Sequence, residues 1–310
     1  MEYRRKVLLA LAPKFSASLS MFGSLFVIFS LWGKTVKACQ VTLIALSIFD
    51  VIGSFGWFLS SWPIPKSIEN ENVIFNVGNS ATCNAQAFIL QLSLSVPIYN
   101  LVLVSIYASV IIFHVKQDIL SRNLKYYVAL PPLFPLATAI AALERNFYGF
   151  AGPWCWIEMG HEKFQWAFYF GPLWFCFIFQ SILMVWIFMS IRKIENNLLK
   201  YQSQAHKYSK KVLTEAMLYS LAFMFCWSLK TLFILNGIDS VEFTDPYDLL
   251  EFVVPTLPMQ GFLNFLICLR KIDVVKQSWS MFVSKFSLSN TVIDDSIIVE
   301  DDKVPHEGSP

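Results

Sequence analysis

Seven long apolar stretches, at 7–32, 41–62, 81–113, 125–143, 164–191, 211–236 and 247–269, constrain this 310-residue chain more than any other feature. A helix crosses a hydrocarbon core of roughly 30 Å in about 20 residues. Most of the stretches reach that length, and 125–143 does so narrowly. Lipid offers backbone groups no partner, so only helices and closed barrels span it, and these runs are too long and continuous for barrel strands. The sequence predicts an all-α membrane protein, a seven-transmembrane-helix bundle.

Composition agrees. Hydrophobic residues make up 55% and charged residues 15%, against about 45–50% and 25% in soluble proteins. A net charge of +2 is too small to argue for a nucleic-acid partner. The loops leave no room for a separate soluble domain. The expected organisation is a helical membrane domain over 1–270, an amphipathic helix over 271–286 and an acidic disordered tail over 287–310. Ile272, Val275, Trp279, Phe282 and Phe286 recur at helical spacing beside Lys271, Lys276 and Lys285, a pattern that suits lipid headgroups. The tail carries Asp294, Asp295, Glu300, Asp301 and Asp302 and reads as disordered.

Loops that stay in the cytoplasm carry excess Lys and Arg. One side of the spans holds 15 such residues, among them Arg192, Lys193, Lys210, Lys211, Arg270 and Lys271, and the other holds 6. This places the amino terminus outside and the tail inside. The basic stub Arg4–Lys6 points the other way, as the start of a signal peptide would. Pro13-Lys14 interrupts that reading, and an uncleaved first span is expected. With this orientation only Cys83 and Cys155 fall at the oxidising outer face, while Cys39, Cys176, Cys226 and Cys268 do not. The two outer cysteines are either bonded or a pair of free thiols, and a disulfide is the favoured reading.

Ionisable and amide side chains inside a span are costly and turn toward the bundle interior. Asp50 lies about 13 Å from the cytoplasmic side of the second span, counted at 1.5 Å per residue. Asn264 in the seventh span sits at a comparable depth, within reach of a hydrogen bond that is either a switch or plain packing. Gln86, Gln91, Tyr99 and Asn100 run along the third span around Pro97, and Gln260 joins Asn264 on the seventh. Asp50, Tyr99, Asn100, Gln260 and Asn264 are therefore candidates for a polar switch. Gln86, Gln91, Trp227, Lys230 and Glu251 are candidates for a ligand pocket near the outer ends. Lys230 is equally explained by snorkelling to the interface, and Trp227 by core filling. Pro131, Pro132, Pro135, Pro172, Pro255 and Pro258 predict local distortions in three spans. Trp62, Trp154, Trp156 and Trp166 read as an interfacial aromatic belt.

Three other functions fit less well. A membrane enzyme would need ligand-spaced His and acidic groups within spans. His114, His161, His206 and His306 all fall in predicted loops or the tail, so neither a metal nor another cofactor is expected. A retinal protein would need a lysine in the seventh span, and 247–269 has none. A transporter is the remaining alternative, although no internal repeat is visible and charges at midplane are few.

The segments "PKFSASLSMFGSLFVI", "SSWPIPK", "GNSATCNAQAFILQLSLSVPIYNLVLVSIY", "GPWCWI" and "PMQGFLNFLICLR" together touch most of the membrane domain. In order and spacing they resemble G-protein-coupled-receptor-like proteins of the cyclic-AMP-receptor-like and secretin-receptor-like group, which includes many protist receptors. The resemblance implies a cell-surface receptor for an extracellular ligand that signals through a heterotrimeric G protein. It makes Cys83 and Cys155 the family's outer disulfide, and Gln260, Gly261 and Asn264 its seventh-helix polar motif. Arg192, Lys193, Lys210, Lys211, Arg270 and Lys271 become candidate contacts for the G protein. The third span ends in "VIIFHVKQD", without the acidic-Arg-aromatic triplet of rhodopsin-like receptors, and "FCWSLKTL" in the sixth has no proline after its tryptophan.

Overall fold

The computed structural model describes residues 2–33, 37–68, 73–113, 115–158, 160–198, 213–228, 255–256 and 258–269. Among them, five helical spans are long and apolar enough to cross a membrane: Val7–Leu31, Ala38–Leu59, Ser80–Ile112, Leu124–Glu144 and Glu162–Lys193. They coincide with the first five apolar stretches. Helical residues 213–228 and the shorter apolar helix Gln260–Leu269 fall within the last two stretches. Lys210, Lys211, Lys230, Glu251, Arg270, Lys271, the expected surface helix 271–286 and the tail 287–310 lie outside the described residues.

The elements are α1 (Glu2–Leu31), α2 (Ala38–Leu59), α3 (Ser80–Leu92), α4 (Ser95–Ile112), α5 (Gln117–Arg122), α6 (Leu124–Ala129) and α7 (Leu133–Glu144). A hairpin of β1 (Tyr148–Phe150) and β2 (Cys155–Ile157) follows, then α8 (Glu162–Gln165), a wider π turn over Trp166–Phe170 and α9 (Gly171–Leu198). Helix α10 covers 213–228 and α11 is Gln260–Leu269. The antiparallel hairpin sets Tyr148 opposite Ile157 and Phe150 opposite Cys155. It adds one strand pair to a mostly helical fold, in a loop, 144–163, with too little apolar periodicity to announce it. Trp156, expected in an interfacial belt, is instead buried at 5% exposure, since β2 turns it into the bundle.

The proline positions explain the broken spans. Pro97 has no N–H to give the carbonyl of Ser93, and its ring crowds that carbonyl. The helix breaks at Ser93–Leu94, where Val96 N–H takes up Ser93 O at 3.0 Å. Pro131-Pro132 divides α6 from α7, and the π turn ends immediately before Gly171-Pro172. Pro13, by contrast, sits inside an unbroken α1. Of the five long spans the third is the most enclosed, at 61% buried, against 28% for the fourth and fifth. That makes α3 and α4 the central axis of the described bundle.

Helix α2 ends with every one of its last four carbonyls bonded, which a helix terminus in lipid requires. Gln86 Nε2 donates to Gly56 O at 3.1 Å, and Ser60 N–H to Trp57 O at 3.0 Å. Lys14 Nζ reaches across from α1 to Phe58 O at 3.2 Å and Leu59 O at 3.1 Å. Its ammonium also lies 3.5 Å from the centre of the Trp62 ring. A cation at a helix C-terminus is further favoured by the helix dipole. Ser60 turns the chain with φ 51, and its hydroxyl donates to Ala10 O at 2.9 Å.

The middle of α1 and the first turns of α11 approach closely enough for backbone contact. Gly261 N–H donates to Ser20 Oγ at 3.0 Å. A Cβ at Gly261 would run into the hydroxyls of Ser20 and Ser24, and one at Gly23 would meet Gly261 O at 3.0 Å. Small residues at such a crossing let helices pack closely in membranes.

The Lys14 cap gives a direct test. Lys14→Met should lower thermal stability of the purified protein by about 1–3 kcal/mol, the cost of stranding the part-buried Phe58 carbonyl, whereas Lys14→Arg should retain most of it. Equal melting of Lys14→Met and the parent would remove Lys14 as the cap.

Candidate functional site

The site is built from α3 upward. Asn79 begins the helix with a reciprocal cap: its Oδ1 accepts from Thr82 N–H at 3.0 Å, and its own N–H donates to Thr82 Oγ1 at 2.8 Å. Gly78 precedes it where a Cβ would collide with Pro63 O, so this turn admits only glycine. The cap fixes Cys83 in the first turns of α3, where it forms a disulfide with Cys155, 72 residues away. The disulfide favoured for these two cysteines is thereby present. Closing a loop of that size contributes about 2–4 kcal/mol.

Two glutamines fasten the same hairpin without covalent bonds. Gln86 Oε1 accepts from Cys155 N–H at 2.9 Å, while its Nε2 donates to Gly56 O and, at 2.8 Å, to Ser60 O. Gln91 Oε1 accepts from the Trp156 indole N–H at 3.1 Å. Its Nε2 donates to Phe168 O at 3.0 Å and Thr138 Oγ1 at 3.1 Å. Both amides are fully buried. Expected to line a ligand pocket, Gln86 and Gln91 have both amide atoms engaged by protein groups and hold the cap in place.

Some of these acceptors exist because of prolines. In a regular helix Phe168 O would receive the N–H of residue 172, which is Pro172 and has none. Gln91 supplies the missing donor. The same logic operates at the fourth span: Val128 O would receive residue 132, which is Pro132, and Tyr99 Oη donates to it instead at 2.6 Å. Tyr99, expected as a switch residue, therefore satisfies a proline-freed carbonyl.

Around the hairpin the packing is aromatic. Trp156 lies edge-on to Tyr169 at 5.0 Å and to Phe170 at 5.7 Å, and Trp57 to Trp154 at 4.9 Å. Trp227, from α10, is buried, with its ring 6.2 Å from Tyr169 and 6.4 Å from Phe223. Tyr148, in β1, donates to Ala139 O at 3.0 Å, and burial pushes its phenol above the usual range, so it remains a donor.

Deeper in the bundle the switch candidates separate into contacts. Asn264 Nδ2 donates to Asp50 Oδ2 at 3.1 Å, joining α11 to α2 as the equal depths suggested. Asn100 Nδ2 donates to Tyr219 O at 3.3 Å, and Tyr107 Oη to Glu215 Oε2 at 3.1 Å, so two rungs tie α4 to α10. Gln260 borders a small cavity with Asp50. At the end of α9, Arg192 and Lys193 are exposed, and the Arg192 guanidinium lies 5.1 Å from the Phe188 ring. Lys14, Thr138 and Glu215 were not among the expected site residues, and Trp156 was expected only in the interfacial belt. The usable signal for Thr138 and Trp156 was the carbonyl four residues before each proline, which demands a donor and draws other polar groups toward it.

A bundle of apolar helices, broken at prolines and closed at one end by a disulfide-anchored hairpin, defines a multi-pass helical membrane protein. Residues 3–255 match the family described as slime mold cyclic AMP receptor, and the chain belongs to that family. Set against individual curated proteins, it has no match.

Two measurements follow from this geometry. Tyr99→Phe should lower stability by about 1–3 kcal/mol by stranding Val128 O, and should cost less in a Pro132→Ala background, where residue 132 has an N–H to offer. The same cost in both backgrounds would contradict the proline-cap account. Cys83→Ala and Cys155→Ala should each reduce folded yield, and the double variant should be little worse than either, because both remove one bond. Thiol labelling of Cys83 and Cys155 in unreduced membranes would contradict it.

Proposed function

We propose that the protein is a cell-surface receptor with seven membrane-spanning helices that senses an extracellular ligand and signals through a heterotrimeric G protein. The carrying observation is membership of a receptor family across residues 3–255, joined to a hairpin cap fixed at Cys83–Cys155. The family's name makes cyclic AMP the first ligand to test. A disulfide belongs in an oxidising compartment, and the sequence assigns the excess of Lys and Arg to the loops on the other side of the spans. Both support an orientation with the hairpin outside and the carboxyl terminus in the cytoplasm of a plasma-membrane protein. In this reading the membrane domain is 1–270, with the surface helix 271–286 and the acidic tail 287–310 on the inner side.

Ligand would enter between the hairpin and the ends of the later helices, where Trp227, Lys230 and Glu251 are the candidate contacts. Gln86 and Gln91 would act on it indirectly, by positioning the cap. Signal would pass inward through the contacts Asp50–Asn264, Asn100–Tyr219 and Tyr107–Glu215, each of which joins two helices. A ligand acts here only by favouring one arrangement of the bundle over another. Arg192, Lys193, Lys210, Lys211, Arg270 and Lys271 would meet the acidic surface of the G protein.

The test is nucleotide exchange on G proteins co-expressed with the full chain, with cyclic AMP as the first agonist. Exchange should rise with agonist and fall when Lys210 and Lys211 are neutralised, while agonist affinity without the G protein stays nearly fixed. An amino-terminal tag should be reachable on intact cells, and one after Pro310 only after permeabilisation. No exchange with any agonist across the G-protein set, at normal surface level, would count against coupling.

A further inference from the structure

We propose that the connection between α2 and α3 is seated in the lipid bilayer, with Trp62, Phe75 and Val77 inserted at the boundary between headgroups and acyl chains on the hairpin side. A connection that faces water turns its polar side chains outward and its apolar ones inward. Here the pattern is reversed. Phe75 is 48% exposed and Val77 61%, while Asn76 between them turns back and donates from Nδ2 to Pro65 O and Ile68 O, both at 3.2 Å. Trp62 is 43% exposed and belongs to the same patch, because Val77 N–H donates to Trp62 O at 3.2 Å. Single exposed apolar residues are ordinary, but a cluster of them marks a contact surface.

The backbone is built to present this patch. Phe75 has φ 66, in the left-handed region that a bulky side chain avoids. Bonds on both sides keep it there: Ile74 O accepts from Ser61 Oγ at 2.7 Å, and the Asn76 amide holds the residue that follows. Gly78 N–H donates to Ile64 O at 3.0 Å, Lys66 N–H to Gly78 O at 3.3 Å, and Thr82 Oγ1 to Pro63 O at 2.9 Å. The stretch thus meets many of its own backbone groups internally, as irregular backbone at membrane depth must. A strained residue held so firmly, with its ring exposed, points to a contact outside the chain.

Depth identifies that contact as lipid. Ser60 Oγ donates to Ala10 O, and Ala10 lies three residues inside the span Val7–Leu31, about 5 Å from its end at 1.5 Å per residue. Leu8 and Leu11, on either side of Ala10, are exposed apolar residues at 47% and 49%, so hydrocarbon surrounds α1 at this level. The Trp62 ring lies against the Lys14 ammonium, whose backbone is one turn deeper in the same span. Trp62, and Val77 bonded to it, are therefore level with the lipid-facing surface of α1. A tryptophan at the interface is an ordinary membrane anchor. Phe75 and Val77 extend it from one side chain to a surface.

The test uses full-length protein in palmitoyl-oleoyl phosphatidylcholine vesicles, with neither ligand nor G protein. In a Cys39→Ser background, Val77→Cys and, separately, Phe75→Cys are labelled with a small fluorescent thiol dye. Cys83 and Cys155 stay bonded, and Cys176, Cys226 and Cys268 are buried. A phosphatidylcholine with a nitroxide near the top of one acyl chain should quench both labels. Aqueous iodide should quench them severalfold less than it quenches the dye's free cysteine adduct. Full quenching by iodide at both positions places the patch in water and overturns the proposal. Quenching by neither places it against protein, a second copy included, and overturns it as well. The unaltered chain supplies a second measurement, independent of how the variants fold. A phosphatidylcholine with a diazirine at the same depth should attach to peptides that contain Phe75 or Val77. Adducts on Leu8 and Leu11 of α1 with none on those peptides would also overturn the proposal.

Discussion

Backbone carbonyls that lose their helical partner inside a membrane must find another donor, and much of this structure depends on where those donors come from. Two prolines and one helix end create such carbonyls at Val128, Phe168 and Gly56. All three are met by side chains of the third span: Tyr99, Gln91 and Gln86. The central helix thus supplies donors to the second, fourth and fifth spans, and its own break at Pro97 lets residues on either side of Ser93 aim at different neighbours. Polar groups along a buried span are usually read as a channel or pocket lining. Here three of them are structural, and the fourth, Asn100, ties α4 to α10.

How much of this was legible varies by level. The positions of the first five spans follow from apolar length alone, because crossing lipid imposes a minimum run that little else in a chain of this composition requires. The cysteine pair follows from compartment chemistry, and the Asp50–Asn264 bond from equal depth. What the sequence conceals is which polar group meets which, since that depends on helix rotation and on the distance between axes. Gln86 and Gln91 look like pocket residues on one helix considered alone. Only the adjacency of Pro172, the α2 terminus and the hairpin gives them their roles. The hairpin itself has three-residue strands, too short for alternation to stand out, and Trp156 reads as interfacial until its strand is seen to face inward.

The seam between α1 and α11 deepens the same point. Gly23 and Gly261 bring two backbones together, and Ser20 occupies the gap with a hydroxyl that serves Gly261 N–H. Close approach here brings Asn264 and Gln260 on α11 toward α2, which packs along α1. The polar centre around Asp50 is thus set by small residues that do not touch it.

The double attachment of Gln86 has a mechanical consequence. Its carboxamide oxygen holds the hairpin at Cys155, and its nitrogen holds the last turn of α2. The disulfide keeps Cys155 beside α3, so the hairpin and the end of α2 share this one side chain. Losing its bonds would free one carbonyl of α2, at Gly56, and that of Ser60 just beyond the helix, in the turn held at φ 51. Asp50 lies six residues before Gly56 on the same helix, about 9 Å along the axis. One glutamine therefore joins the hairpin to the end of the helix that carries Asp50.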